Sequence, residues 1–100
     1  MNRRLIVRPE AEADISAAAF WYEEQRAGLG LEFTAEIRAA IRHVVEWPLA
    51  YRLMRRRLQV RRVLTKRFPY RVFYLVRDDA VVVIAVIHAA RHDREWRRRL

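Results

Sequence analysis

The spacing of apolar residues changes once along this chain, from a helical period up to Trp47 to a strand period from Val60 onward. Leu5, Ile6 and Val7 form a short apolar run ahead of Pro9, and a residue before proline is driven to extended geometry, so Arg4 to Arg8 is predicted as a strand. Pro9 then opens a helix. Glu10, Glu12 and Asp14 fall in its first turns, at the positive end of the helix dipole, while Ala11, Ile15, Ala18 and Tyr22 make an inward stripe. Ala17, Ala18 and Ala19 leave room for a close neighbour, and Gly28 is the stop. Beyond the connector Leu29-Gly30-Leu31, the residues Phe33, Ile37, Ala40, Ile41 and Val44 recur at helical spacing up to Trp47-Pro48, which completes a helical hairpin. Leu49 to Leu58 reads as a basic connector carrying Arg52, Arg55, Arg56 and Arg57.

Val60 to Lys66 mixes β-branched residues with charge, Tyr70 to Arg77 alternates, and Val81 to Ile87 is almost wholly apolar. All three are predicted strands. Asp78-Asp79 marks a tight turn between the last two, so these form an antiparallel hairpin, with the last strand central and covered on both faces. His92 to Leu100 reads as a short basic helix or tail. The predicted class is α+β: an N-terminal strand, a helical hairpin, then a mainly antiparallel sheet, in the order β-α-α-β-β-β. With no linker composition and no internal repeat, residues 1–100 are expected to form a single domain.

Charge divides at the same place as periodicity. Residues 1–50 hold 6 basic against 8 acidic side chains, net −2, whereas residues 51–100 hold 15 against 4, net +11. The expected partner is therefore anionic and meets the second half. With 53% hydrophobic residues the chain has material for a core and is unlike a disordered basic tail. The absence of cysteine removes disulfides, thiolate nucleophiles and Cys-ligated zinc, and His43, His88 and His92 lack metal-ligand spacing, so no metal or cofactor is expected. Only Gly28 and Gly30 are glycine and only Ser16 is serine, which leaves no phosphate loop and no serine nucleophile. The opening Met1-Asn2-Arg3-Arg4-Leu5-Ile6-Val7 has too short an apolar run for a signal peptide, and no segment reaches membrane-spanning length, so the expected location is the cytoplasm, away from membranes.

One set of residues suggests chemistry: Arg61, Arg62, Lys66, Arg67, Tyr70, Arg71, His88 and Arg91 all lie on predicted strands or their ends, where pairing would bring them onto one face. Arginines clamp phosphodiesters, histidine is the side-chain class suited to proton transfer near neutrality, and Tyr70 donates a proton or stacks on a base. Metal-free RNA cleavage would need a general base, a general acid and cations on the phosphorane. If the chain is a ribonuclease, the catalytic candidates are His88, Tyr70, Arg61 and Arg91. The base is the weak point, because no Asp or Glu occurs between Tyr51 and Arg77. The plainer alternative is that His88 is a strand-end histidine held by a backbone carbonyl or by Asp93, that Tyr70 packs on the sheet, and that the arginines form a solvated face. A further alternative is a general basic nucleic-acid-binding domain.

Trp21-Tyr22, Gly28-Leu29-Gly30-x-x-Phe33, Trp47-Pro48 with Tyr51, Arg67-Phe68-Pro69-Tyr70-Arg71-Val72-Phe73-Tyr74, and Val86-Ile87-His88-Ala89-Ala90-Arg91 with Trp96 occur in that order over nearly the whole chain. This series resembles the ParE branch of the RelE/ParE toxin superfamily. One departure is the neighbourhood Arg91-His92-Asp93-Arg94, which lacks the proline common there. The resemblance implies the toxin of a type II toxin–antitoxin pair, a growth-inhibiting and plasmid-stabilising role, and the same α+β fold. It implies inhibition of DNA gyrase for the ParE branch, against ribosome-dependent mRNA cleavage for RelE-like relatives, and fold does not choose between them. The missing carboxylate base and the Phe-Pro-Tyr-Arg strand favour gyrase and a binding inhibitor over an enzyme. The resemblance also implies a cognate antitoxin that wraps the toxin with an extended acidic and apolar segment. Arg61, Arg67, Tyr70, Arg71, His88, Arg91 and Trp96 are the candidates for meeting antitoxin or target.

Overall fold

The computed structural model describes residues 3–100, so Met1 and Asn2 of the opening segment lie outside the described residues. In chain order it contains β1 (Arg4–Val7), α1 (Pro9–Gln25), α2 (Leu29–Glu46), β2 (Arg52–Arg55), β3 (Val60–Leu64), β4 (Tyr70–Val76), β5 (Ala80–His88) and α3 (Arg94–Arg97). The sheet order is β1-β5-β4-β3-β2. β1 runs parallel to β5, because two helices carry the chain back across the sheet before the later strands form; every other pair is antiparallel. The α+β class predicted from periodicity is the class observed.

α1 and α2 meet at a reversal that needs almost no loop. Gly28 adopts a left-handed φ of 89°, and the Glu23 carboxylate accepts from the backbone N–H groups of Gly28 and Gly30, so α2 begins at Leu29 and the expected three-residue connector is already helix. Gly30 is required for a different reason: a Cβ there would stand 2.6 Å from the carbonyl oxygen of Ala19, so only glycine lets the two helices approach this closely. The predicted stripes face inward. Ala11 and Ile15 of α1 and Phe33, Ile37, Ile41 and Val44 of α2 are buried against one face of the sheet.

Two features differ from the expectation. The basic connector contains a strand, since β2 pairs with β3 through Arg52 opposite Arg62, Leu53 opposite Arg61 and Arg55 opposite Val60. An edge strand has one neighbour and tolerates charge on most of its positions, so its partner rather than its own composition decides it. The middle strand is β4, not β5, although β5 is interior and covered on both faces as predicted.

The two faces are covered differently. The helical hairpin packs on Val72, Tyr74, Val76, Val81, Val83 and Val86, while the opposite face carries Val60, Phe73, Leu75, Ile84, Ala85 and Ile87 under Trp96 of α3. Trp96 stacks on Phe73 at 5.0 Å, so the C-terminal segment closes a second core. A β-bulge governs which residue faces which core. Phe73 pairs with Ala85 and Tyr74 with Val83, leaving Ile84 as an extra residue that shifts the inward positions from Val81 and Val83 to Val86 and His88. Among the described residues no helix is long and apolar enough to cross a membrane.

Candidate functional site

The bulge places His88 on the helical side, opposite Tyr70 across the β4–β5 ladder, with the two rings 5.2 Å apart and nearly perpendicular. Tyr70 is fixed from behind by Phe33 at 4.9 Å. Arg91 follows in the turn after β5, where its backbone N–H donates to the His88 carbonyl at 2.9 Å. Across from these three lies α1, whose Ala13, Ala17 and Ala18 have too little bulk to fill the space. With Asp14 and Val86 they enclose a cleft of about 450 Å³.

The protons of this cleft are largely assigned by its hydrogen bonds. The backbone N–H of Ala90 donates to His88 Nδ1 at 3.0 Å, so the neutral ring carries its hydrogen on Nε2 and offers the cleft a donor, not a base. Burial pushes the Tyr70 phenol up to about 12, with the neighbouring Tyr22 adding to the shift, so Tyr70 also presents a hydrogen at neutral pH. Asp14 supplies the carboxylate that the strands lack, but both of its oxygens are engaged. Arg99 donates to both of its oxygens, and the Val86 N–H donates to Oδ2 at 2.9 Å. Arg99 also donates to the Ile84 carbonyl at 3.0 Å. Asp14 and Arg99 thus satisfy the outer edge of β5 where β1 has ended, and hydrogen bonding to Asp14 holds Arg99 more firmly protonated than an ordinary arginine. Arg91, Tyr70 and His88 make the cleft a donor-rich site suited to an anion or a carbonyl, without a free base.

The other sequence candidates do not share this face. Arg61 turns back to donate to the Tyr51 carbonyl at 2.8 Å and braces the segment after α2. Beside it the Tyr74 hydroxyl donates to Pro48 O at 2.7 Å, and burial raises its phenol well above the usual range. Arg67 is exposed, lies over Phe68 and pairs with Glu32, whose carboxyl its hydrogen bond holds below the usual range. Arg71 is buried on the opposite face, where it lies 5.4 Å from the Phe73 ring centroid and bonds Asp93 and the Arg91 carbonyl. Asp93 is therefore the partner of Arg71 and not of His88, and the Arg71 hydrogen bond lowers its carboxyl. Trp96 is buried in the second core. Arg62 and Lys66 stand away from the cleft: Arg62 on β3 pairs with Phe73 of β4, and Lys66 borders a separate groove beside Glu36 and His43. The residue that sequence reasoning missed is Asp14, assigned only to the helix dipole; its signal was an acid with alanines three and four positions later on the same helical face.

A profile of the family described as "ParE toxin of type II toxin-antitoxin system, parDE" matches residues 5–93. The chain belongs to the ParE toxin family. Two solved structures share the ParE-like fold. One, from the chromosomal ParDE toxin–antitoxin system of P. aeruginosa, superposes with a TM-score of 0.76 at 15% identity, covering 86% of this chain and 95% of that one. The other, a mutant of the E. coli toxin RelE in its free state, superposes at 0.72 with 20% identity, covering 99% and 94%. Among curated protein sequences none matches. The ParE profile ends at Asp93, so α3 with Trp96 and the Arg99 anchor lie beyond the matched residues.

Proposed function

We propose that this ParE-family toxin inhibits DNA gyrase by binding and is held inactive by a cognate antitoxin. The observation that carries this reading is the state of the cleft: its carboxylate is engaged by Arg99 and the Val86 N–H, and its imidazole presents a hydrogen. A nuclease would need one of these groups free to accept the 2′-hydroxyl proton. Of the candidate contact residues, Tyr70, His88, Arg91 and Arg67 are accessible for antitoxin or target, whereas Arg61, Arg71 and Trp96 act through the fold they hold. An acidic and apolar antitoxin segment suits both the positive second half and the exposed Phe20, Trp21 and Leu31 of the helical hairpin.

The test is supercoiling of relaxed plasmid by gyrase with increasing amounts of the purified chain. Inhibition that is relieved by the antitoxin is expected. Intact supercoiling together with ribosome-dependent mRNA cutting would replace this reading by the RelE-like one, which the convergence of Tyr70, His88 and Arg91 in one cleft favours. His88→Gln separates the two, since a ribonuclease loses cleavage while the gyrase inhibitor retains most of its effect.

A further inference from the structure

The arginines of the second half divide into those with partners and those without. Arg67, Arg71, Arg91 and Arg99 each pair with a carboxylate, and Arg61 and Arg77 donate to backbone carbonyls. Among the described residues, Arg52, Arg55, Arg56, Arg57, Arg62, Arg94, Arg97 and Arg98 have no carboxylate within salt-bridge distance; the last three lie on or beside α3, and the first five lie on β2, β3 or the turn between them. No acidic residue occurs between Tyr51 and Arg77 to offset them.

The turn that presents them is fixed. Gln59 holds a left-handed φ of 55°, its side-chain amide donates to the Arg56 carbonyl at 2.8 Å, and its own carbonyl accepts from Val76 N–H at 3.1 Å. Arg77 donates to the Leu58 carbonyl at 3.2 Å, so the end of β4 pins the turn from the other side. Arg56 and Arg57 are thus exposed at the tip of an anchored hairpin, with Arg52 and Arg55 along its open edge.

We infer that the β2–β3 hairpin is a phosphate-binding edge that holds the backbone of duplex DNA without reading its sequence. Guanidinium groups without internal partners release counterions from a polyanion at little cost to the fold. Residues 52–66 contain no aromatic ring, and single-stranded nucleic acids are gripped by stacking bases on such rings. A hairpin tip fits the wide groove of B-DNA, whereas the major groove of duplex RNA is too narrow to admit it. An acidic peptide would satisfy the same charges, and the experiment distinguishes it. The inference stands apart from the gyrase reading, because DNA binding is measured on the isolated chain.

Fluorescence anisotropy with a labelled duplex of about 20 bp, between about 50 and 200 mM KCl, tests it. Five phosphate contacts predict a slope of log K against log salt of about −4.5. Arg55→Gln/Arg56→Gln/Arg57→Gln should weaken binding at the lowest salt by at least about tenfold and flatten the slope to about −2, with an unchanged thermal melt. Arg4→Gln/Arg94→Gln/Arg98→Gln removes the same charge from exposed sites elsewhere and should change affinity by less than about threefold. The inference is overturned if the duplex does not bind, if both triple variants lose affinity equally, or if the hairpin variant binds like the parent. Tighter binding of duplex RNA, single strands or poly-glutamate at equal charge would overturn it as well. Gyrase inhibition without DNA binding would leave the proposed function standing and remove only this edge.

Discussion

The tail side of the sheet and the β2–β3 hairpin are both arginine-rich, yet two of the tail side's arginines, Arg71 and Arg99, do the opposite work to those of the hairpin. Around α3, Arg71 and Arg99 are buried or nearly so, each joined to a carboxylate and a backbone carbonyl, and they fasten the C-terminal segment over the second core. On the hairpin, Arg55, Arg56 and Arg57 are exposed and have no side-chain partners among the described residues. The same residue type therefore contributes to stability in one region and is left for intermolecular contact in the other. The net +11 of residues 51–100 overstates what a partner meets, because part of that charge is neutralised within the fold.

The largest expected effect lies on the tail side. Trp96→Ala removes the side chain that stacks on Phe73 and should cost about 4 kcal/mol in urea unfolding; a loss below about 1 kcal/mol would show that the second face is not a true core. Asp14→Ala leaves Arg99 and the Val86 N–H without their acceptor, in a site where the two side chains retain only 18% and 20% exposure. A loss of about 3 kcal/mol is expected, with the double variant Asp14→Ala/Arg99→Ala costing less than the sum of the single changes. Additive losses would break the pairing.

Two pH limbs sharpen the contrast. Asp93 is held below its ordinary carboxylate value by Arg71, so its contribution is present above about pH 4 and is lost as pH falls further. Asp93→Asn should flatten that acid limb of the stability curve, and an unchanged limb would dissociate Arg71 from it. Tyr70, raised to about 12 by burial, keeps its hydrogen after an unfolded tyrosine would lose it near pH 10. Its contribution is full below pH 10 and declines as pH rises toward 12, and Tyr70→Phe should remove this decline; ultraviolet titration of the phenol reads the shift directly. The smallest effect belongs to the hairpin, where Arg56→Gln should change unfolding free energy by less than about 0.5 kcal/mol. A larger loss would place Arg56 among the structural arginines.

Much of the site was legible in pieces and little of it as a site. Tyr70, His88 and Arg91 stand out by residue type and by their positions at strand ends, and the structure brings these three together. Arg61, Arg71 and Trp96 have the same look in sequence, but strand parity and the tail's return send them into structural roles. Asp14 carried only the hint of the alanines three and four positions later, because its partners, Arg99 and Val86, are 85 and 72 positions away.

Local patterning determined what depends on near neighbours: two helices with inward stripes, the glycine-marked reversal, the Asp78-Asp79 turn, three of the later strands and the charge division. These follow from period, turn chemistry and dipole, which act over a few residues. Tertiary structure alone decided the bulge at Ile84, the pairing that turns a basic connector into β2, and which arginines find carboxylates. Each depends on contacts between distant segments, and shifting a strand by one residue moves a side chain to the other face of the sheet. That single step is what places His88 beside Tyr70 and leaves Arg71 behind it.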